Sequence, residues 1–215
     1  MIRATLLTAA VLAAVPAAAS ADTGLGQATS FKAAFTTHQA GRASGLVLRT
    51  TGNPPAPPTT EPPAVRQTIT FPAGTKLRLR ALPQCHATDA ELAAQGAAAV
   101  CPARTRVGSG RAEGALAGKP VGFDLAIYAV RGRLVFAAGQ QSFDGVARGR
   151  RLALTVPTLN GAIAPTLFRA RIDRHIVRTP RTCGWKFGAT FQGLTAVGGS
   201  PVGPAQHLTY RQRCA

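Results

Sequence analysis

Apolar and polar residues alternate with a period of two along much of this chain, in short segments separated by turn residues. Successive side chains of a strand point to opposite faces, so each such segment has one side for a core and one for water. Phe31, Ala33 and Phe35 alternate with Lys32 and Ala34. Leu46 and Leu48 alternate with Val47 and Arg49, and Gly41 marks the connection between these two segments. A third strand near Arg66 to Phe71 stops at Pro72-Ala73-Gly74. Lys76 to Ala81 predicts a strand with Leu77, Leu79 and Ala81 facing the core and Lys76, Arg78 and Arg80 facing water. Val121, Phe123, Leu125 and Ile127 share a face, and Arg131-Gly132-Arg133 reads as a hairpin turn into Leu134-Val135-Phe136. Leu152, Leu154 and Val156 form another strand, followed by the turn signal Asn160-Gly161. Phe168, Ala170 and Ile172 alternate with Arg169, Arg171 and Asp173. Trp185, Phe187, Ala189 and Phe191 share one face, and Leu208 and Tyr210 mark a last strand. Roughly ten short strands predict an all-β domain, a two-sheet sandwich or jelly roll.

One short helix interrupts this pattern. Thr88-Asp89-Ala90-Glu91 is a capping box, with Thr88 as N-cap and Glu91 reaching back to it, and Gly96 stops the helix. Six prolines crowd residues 53–63. Proline donates no ladder hydrogen bond, so this stretch reads as an extended loop outside the sheet.

The first 21 residues read as an address rather than as structure. Arg3 precedes an apolar stretch from Leu6 to Val15, and Ala19-Ser20-Ala21 is a cleavage signal. The apolar stretch is shorter than the roughly 18–20 residues of a membrane span. Export would leave residues 22–215 as a single β domain, secreted or associated with the cell envelope, and no second apolar segment predicts a membrane span. The cysteines suit an oxidising compartment. Cys85, Cys101, Cys183 and Cys214 allow three connectivities, and proximity in sequence favours Cys85–Cys101 and Cys183–Cys214. The first pair would enclose the helix and pin it to the sheet, stabilising by about 3 kcal/mol through loop closure.

Leu82-Pro83-Gln84-Cys85, Ala87-Thr88-Asp89-Ala90-Glu91-Leu92, Gly96, Cys101-Pro102, Val107-Gly108-Ser109-Gly110 and the closing Cys183-Gly184-Trp185 with Cys214 carry a resemblance. They are similar to an uncharacterised family of exported, disulfide-containing β proteins from high-GC actinobacteria. The resemblance implies export and a disulfide-stapled β fold, and supplies no catalytic residues.

Motifs of enzymatic chemistry are incomplete. Gly198-Gly199-Ser200-Pro201-Val202 lacks the last glycine of a nucleophile elbow. The glycines of Val107 to Gly114 have the wrong spacing for a dinucleotide loop and read as turns between strands. Gly118-Lys119-Pro120 lacks the flanking residues of a phosphate loop. No C-x-x-C occurs and the four histidines show no ligand spacing, so neither a metal nor a cofactor is expected. Asp173 and His175 would share a strand face and, with a serine, make a hydrolase-like trio. A solvated pair beside Arg174 is the plainer reading.

Charge is the remaining functional signal. Lys and Arg number 25 against 8 acids, a net charge of +17, and all but four of the cations are arginine. Such a surface attracts polyanions by its long-range field and by counterion release, and guanidinium forks suit phosphate and carboxylate. The candidate anion-binding residues are Lys76, Arg78 and Arg80 on one strand and Arg169 and Arg171 on another. Arg104, Arg106 and Arg111 follow the helix, and Arg148, Arg150 and Arg151 form a further cluster. Outside a cell the matching partners are anionic envelope polymers and lipid head groups. Nucleic acid is a weaker match, because the aromatic residues fall mainly on inward faces and leave no stacking platform. The expectation is therefore a secreted binding protein rather than an enzyme, with an envelope-polymer hydrolase and a protein-interaction module as alternatives.

Overall fold

The computed structural model describes residues 28–53, 64–116, 119–139, 141–158 and 163–214. The signal segment 1–21, nearly all of the proline-rich loop and the Asn160-Gly161 turn lie outside them. The strands are β1 (Ala28–Phe35), β2 (Ala43–Gly52), β3 (Ala64–Thr70), β4 (Lys76–Leu77), β5 (Arg106–Leu116), β6 (Lys119–Val130), β7 (Arg133–Ala138), β8 (Gln141–Arg148), β9 (Arg151–Pro157), β10 (Ile163–Arg178), β11 (Trp185–Leu194) and β12 (Pro201–Gln212). They form one continuous antiparallel sheet in the order β1-β2-β10-β5-β6-β7-β8-β9-β3-β11-β12, with β4 paired to the end of β10. The predominance of β structure follows the sequence pattern. The ladder runs unbroken from β1 to β12, so it describes a single sheet curled into a nearly closed barrel rather than two sheets of a sandwich or jelly roll.

Closure has a parity problem. Eleven strands alternate in direction, so the two edge strands β1 and β12 must point the same way where they meet. Among the described residues no backbone ladder joins them. Glutamine side chains do so instead. Phe35 N donates to Gln212 Oε1 at 2.8 Å, and Gln212 Nε2 donates to Phe35 O at 3.0 Å. At the other end of the seam Ala28 N donates to Gln206 Oε1 at 3.0 Å. Between them Lys32 Nζ lies 5.8 Å from the Tyr210 ring centroid. A primary amide carries both N–H donors and a carbonyl acceptor, so Gln212 can serve the N–H and the C=O of an unpaired strand residue.

The alternating apolar faces point into the barrel. Leu46, Leu48, Ile69, Ile127, Leu134, Phe136, Leu152, Leu154 and Ile172 are fully buried there. Phe35, Phe71, Trp185 and Phe187 plug one end, with ring centroids 5.0–6.4 Å apart. The Cys183–Cys214 disulfide ties the start of β11 to the residues after β12 at this end. The opposite end holds a cavity instead of a plug.

Helix α1 (Asp89–Gln95) starts with the expected capping box. Thr88 Oγ1 accepts from Glu91 N at 3.2 Å, and Thr88 N donates to Glu91 Oε2 at 2.7 Å. Gly96 ends α1, and a further turn, α2 (Ala97–Val100), follows it. The Cys85–Cys101 disulfide closes this segment. Leu92, Ala97 and both cysteines pack against Tyr128, Val130, Val135 and Ala137 on the outer face of the β6–β7 hairpin. This cover explains why the end of β6 and most of β7 are buried on both faces. The hairpin turn at Arg131 and Gly132 has two consecutive positive φ angles, the geometry of a two-residue type I′ loop.

Three expectations need correction. Lys76 to Ala81 is not one strand: β4 has two residues and a 3-10 turn follows at Leu79–Ala81, leaving Ala81 exposed. Gly108, Gly110 and Gly114 are not turns but lie inside β5, and β8 is an additional strand. Glycine is required at Gly108 because β10 crowds it. A Cβ there would sit 2.2 Å from Arg171 O.

The capping box gives a pH-dependent contribution. The Thr88 backbone N–H, and after it the Thr88 hydroxyl, hold the Glu91 carboxyl below its ordinary value of 4.5. A depressed carboxyl stabilises above its unfolded value, and that contribution is lost as pH falls through the folded one. Glu91→Gln is expected to remove this part of the acid sensitivity below about pH 4.5, as read by thermal unfolding between pH 3 and pH 7. Thr88→Ala should cost about 1 kcal/mol across that range.

Candidate anion-binding site

Strand register assembles a row of cations on the outer wall. Lys32 on β1 is the Cα partner of Arg49 on β2, and Arg49 is the partner of Arg169 on β10. Arg169 in turn faces Arg111 on β5, and Arg111 faces Asp124 on β6. Each of these residues lies on the outward parity of its strand, opposite the core positions Phe31, Leu48, Phe168 and Ala170. Adjacent strands lie about 4.8 Å apart, so Lys32, Arg49 and Arg169 span about 10 Å across the strands.

The acids near this row are committed elsewhere. Arg111 Nε contacts Glu113 Oε1 at 2.6 Å, and its Nη1 contacts Asp124 Oδ1 at 3.2 Å. These two carboxylates raise the Arg111 guanidinium further above its ordinary value. Arg171, two residues beyond Arg169, contacts Asp173 at 2.5 Å. Among the described residues no carboxylate pairs with Lys32, Arg49 or Arg169. Like charges directly opposite on neighbouring strands destabilise by a few tenths of a kcal/mol or more per pair, roughly the reverse of an opposite-charge pair. The row is thus a local concentration of charge that the described carboxylates do not neutralise.

The five sequence-selected residues divide between two places. Arg169 belongs to the row, and Arg171 flanks it two residues along β10, opposite Val47 and Ser109. Lys76 pairs with Arg178 at the far end of β10, and Arg78 and Arg80 are exposed beside it on and before the 3-10 turn. Lys32, Arg49 and Arg111 complete the row. The outward facing of Lys32 and Arg49 was readable from alternation and that of Arg111, in the glycine-rich β5, was not; the adjacency of all three depends on β10 inserting between β2 and β5, a pairing between distant parts of the sequence.

A second basic surface lies on the outside of β8, β9 and β3. Arg148 is the partner of Arg151, Arg151 of Thr70, and Arg66 of Thr155. It forms a shallow groove, and Arg150 Nη1 there donates to Phe71 O at 3.1 Å. Asp144, at the edge of this groove, has its carboxyl pushed up by burial, with Arg133 opposing the shift.

The hydrolase-like trio does not form. The Asp173 carboxylate is taken by Arg171, and Asp173, Arg174 and His175 lie exposed where the β10 register breaks between Ile172 and Val177. Among the described residues no group of histidine, cysteine and carboxylate side chains is arranged to hold a metal ion, and both cysteine pairs are disulfides. No described helix is long and apolar enough to cross a membrane.

No known protein-family model matches the chain, and no curated protein matches it. Among solved structures the chain aligns with AvmM, which catalyses macrocyclization in alchivemycin A biosynthesis. The alignment covers 86% of this chain and 89% of that one, at 9% identity and a TM-score of 0.28. A likeness of that size carries nothing about this chain's fold or activity.

Proposed function

We propose that the protein is an exported, non-enzymatic binding protein that holds a linear anionic polymer of the cell envelope along the Lys32–Arg49–Arg169 row. The observation that carries this reading is the register itself, which stacks on three adjacent strands three cations that have no acid partner among the described residues. A polymer with regularly spaced phosphates or carboxylates would neutralise all three at once. Arg171 and Arg111 flank the row and would extend it. Export is supported by the N-terminal segment and by the two disulfides, which persist in oxidising compartments.

The test is retention of the oxidised protein on isolated anionic wall polymer, on anionic vesicles and on DNA, each at low and high salt. Retention on wall polymer above the other two is expected. Arg49→Gln combined with Arg169→Gln should lower that affinity about tenfold and reduce the salt slope by roughly two. The same variant should be slightly more stable than the parent, by less than about 1 kcal/mol, because a repulsive pair has gone. Arg148→Gln with Arg151→Gln should change polymer retention less. Equal retention on all three materials, or equal losses from both double variants, would mean that the charge acts without a site.

A further inference from the structure

The open end of the barrel contains a cavity of ≈ 210 Å³. Its walls are apolar: Leu125, Phe143, Phe168 and Phe191 face it, and Phe123 stands at its rim. Phe143 and Phe168 lie 6.1 Å apart and both pack on Phe136, which belongs to the core beneath. Void space in a protein interior forfeits dispersion contacts, so most interiors close around it. Here the chain has placed small residues, Ala112 and Ala138, on the cavity wall where larger ones would fill it.

Polar side chains are few on this wall: Thr50, Gln67, Glu113, Gln141 and Thr166 line it, and of these Gln67 is the buried one. Gln67 on β3 is only 4% exposed and lines the cavity. Its Nε2 donates to Thr50 Oγ1 at 2.8 Å. Among the described residues no donor reaches its Oε1. Gln67 Oε1 is not sealed off by protein: it stays open to the cavity, so its hydrogen bond must come from a group inside the cavity. An apolar cavity with a few polar groups is the usual form of a small-molecule site.

We infer that this cavity is a binding site for a small, uncharged, mainly apolar ring compound carrying one hydroxyl, whose O–H donates to Gln67 Oε1. Size sets the upper limit. An apolar cavity of about 150 Å³ accommodates benzene, so this one takes a single ring with a short substituent. The aromatic walls favour a planar ring by offset or edge-on contact. The free Gln67 acceptor selects a phenol over the corresponding hydrocarbon, because only the phenol can donate to it. Glu113 also borders the cavity, but its carboxylate is held by Arg111, so among the described residues no free charge lines the cavity to attract an ionic ligand. The site lies inside the barrel and is independent of the outer cation row.

Isothermal titration and NMR shift mapping with 4-propylphenol and propylbenzene test the assignment. The full oxidised protein should bind 4-propylphenol with a negative heat-capacity change and bind propylbenzene at least tenfold more weakly. Gln67→Leu should abolish that difference while leaving hydrocarbon binding in place. Ala112→Phe, which puts a ring into the cavity, should abolish binding of both probes. Thermal unfolding shows whether each variant is folded, and Ala138→Phe is the second filling variant if the first is not. Absence of binding by both probes, equal affinity for the two, or undiminished binding in a folded filling variant would overturn the proposal.

Discussion

Gln212→Ala is expected to destabilise the protein by about 3 kcal/mol, read as a shift in the urea midpoint without a change of chemistry elsewhere. Gln212 is 5% exposed, and its amide serves both the N–H and the C=O of Phe35. Each hydrogen bond contributes roughly 0.5–1.5 kcal/mol, and each buried backbone group left without a partner costs about 1–3 kcal/mol. Water entering the widened seam offsets part of this. The loss also reaches the aromatic plug, because Phe35 touches Phe71, Trp185 and Phe187. Gln206→Ala removes one half-buried hydrogen bond and should cost only about 1 kcal/mol. Gln212→Glu separates bonding from packing. Its carboxylate still accepts from Phe35 N, but it turns a negative charge toward Phe35 O. Burial and that carbonyl favour the neutral acid, so the folded pKa is raised. The penalty is then fully present above the folded pKa and relieved as pH falls through it, the reverse of an ordinary paired carboxylate. An alanine variant within about 0.5 kcal/mol of the parent would show that β1 and β12 do not close the barrel. An opened seam also exposes two unpaired strand edges, so aggregation should rise with the loss of stability.

How the seam closes explains which parts of this fold were legible from the chain. Period-two alternation located β1, β2, β6, β9, β10 and β11 because each has one wet and one dry face. The capping box and the Arg131-Gly132 turn were legible because their signals are local. Strand order was not, since the key event, β10 inserting between β2 and β5, joins segments more than forty residues apart. Counting strands therefore gave an all-β domain, read as a sandwich or jelly roll, because nothing local shows that the strands join in a single curled sheet. β5 escaped because Gly108, Gly110 and Gly114 supply no side-chain pattern and glycine usually marks turns. The row of cations inherits both limits. Alternation turned Lys32, Arg49 and Arg169 outward, yet only the register makes them neighbours. The cavity had no sequence signal of its own: Gln67 shares the inward face of β3 with Ile69, but no local pattern says that it lines a cavity.

Two alanine substitutions at strand glycines are expected to have opposite signs. Gly188 sits inside β11, and a Cβ there meets nothing nearer than Thr70 Cβ at 3.8 Å. Gly188→Ala removes backbone freedom from the unfolded chain without a clash, and should stabilise by about 0.5–1 kcal/mol. Gly108 sits inside β5, and a Cβ there would lie 2.2 Å from Arg171 O and 2.9 Å from Ile172 Cα. Neither is the end of a flexible side chain, so the β5 and β10 backbones must separate and ladder bonds between them must lengthen. Gly110, with Arg169 O 2.4 Å from its Cβ position, shows the same crowding one outward residue away. Overpacking of this kind costs about 3 kcal/mol, the upper part of the usual range, because the obstacle is backbone. The strain falls on the segment of β10 that carries Arg169 and Arg171, so Gly108→Ala should also weaken polymer retention in whatever fraction stays folded, whereas Gly188→Ala should leave it unchanged. Unfolding curves and salt-dependent retention on both variants decide the matter. If Gly108→Ala were as stable as the parent, β5 and β10 would not approach as closely as described, and the spacing of the cation row would have to be measured anew.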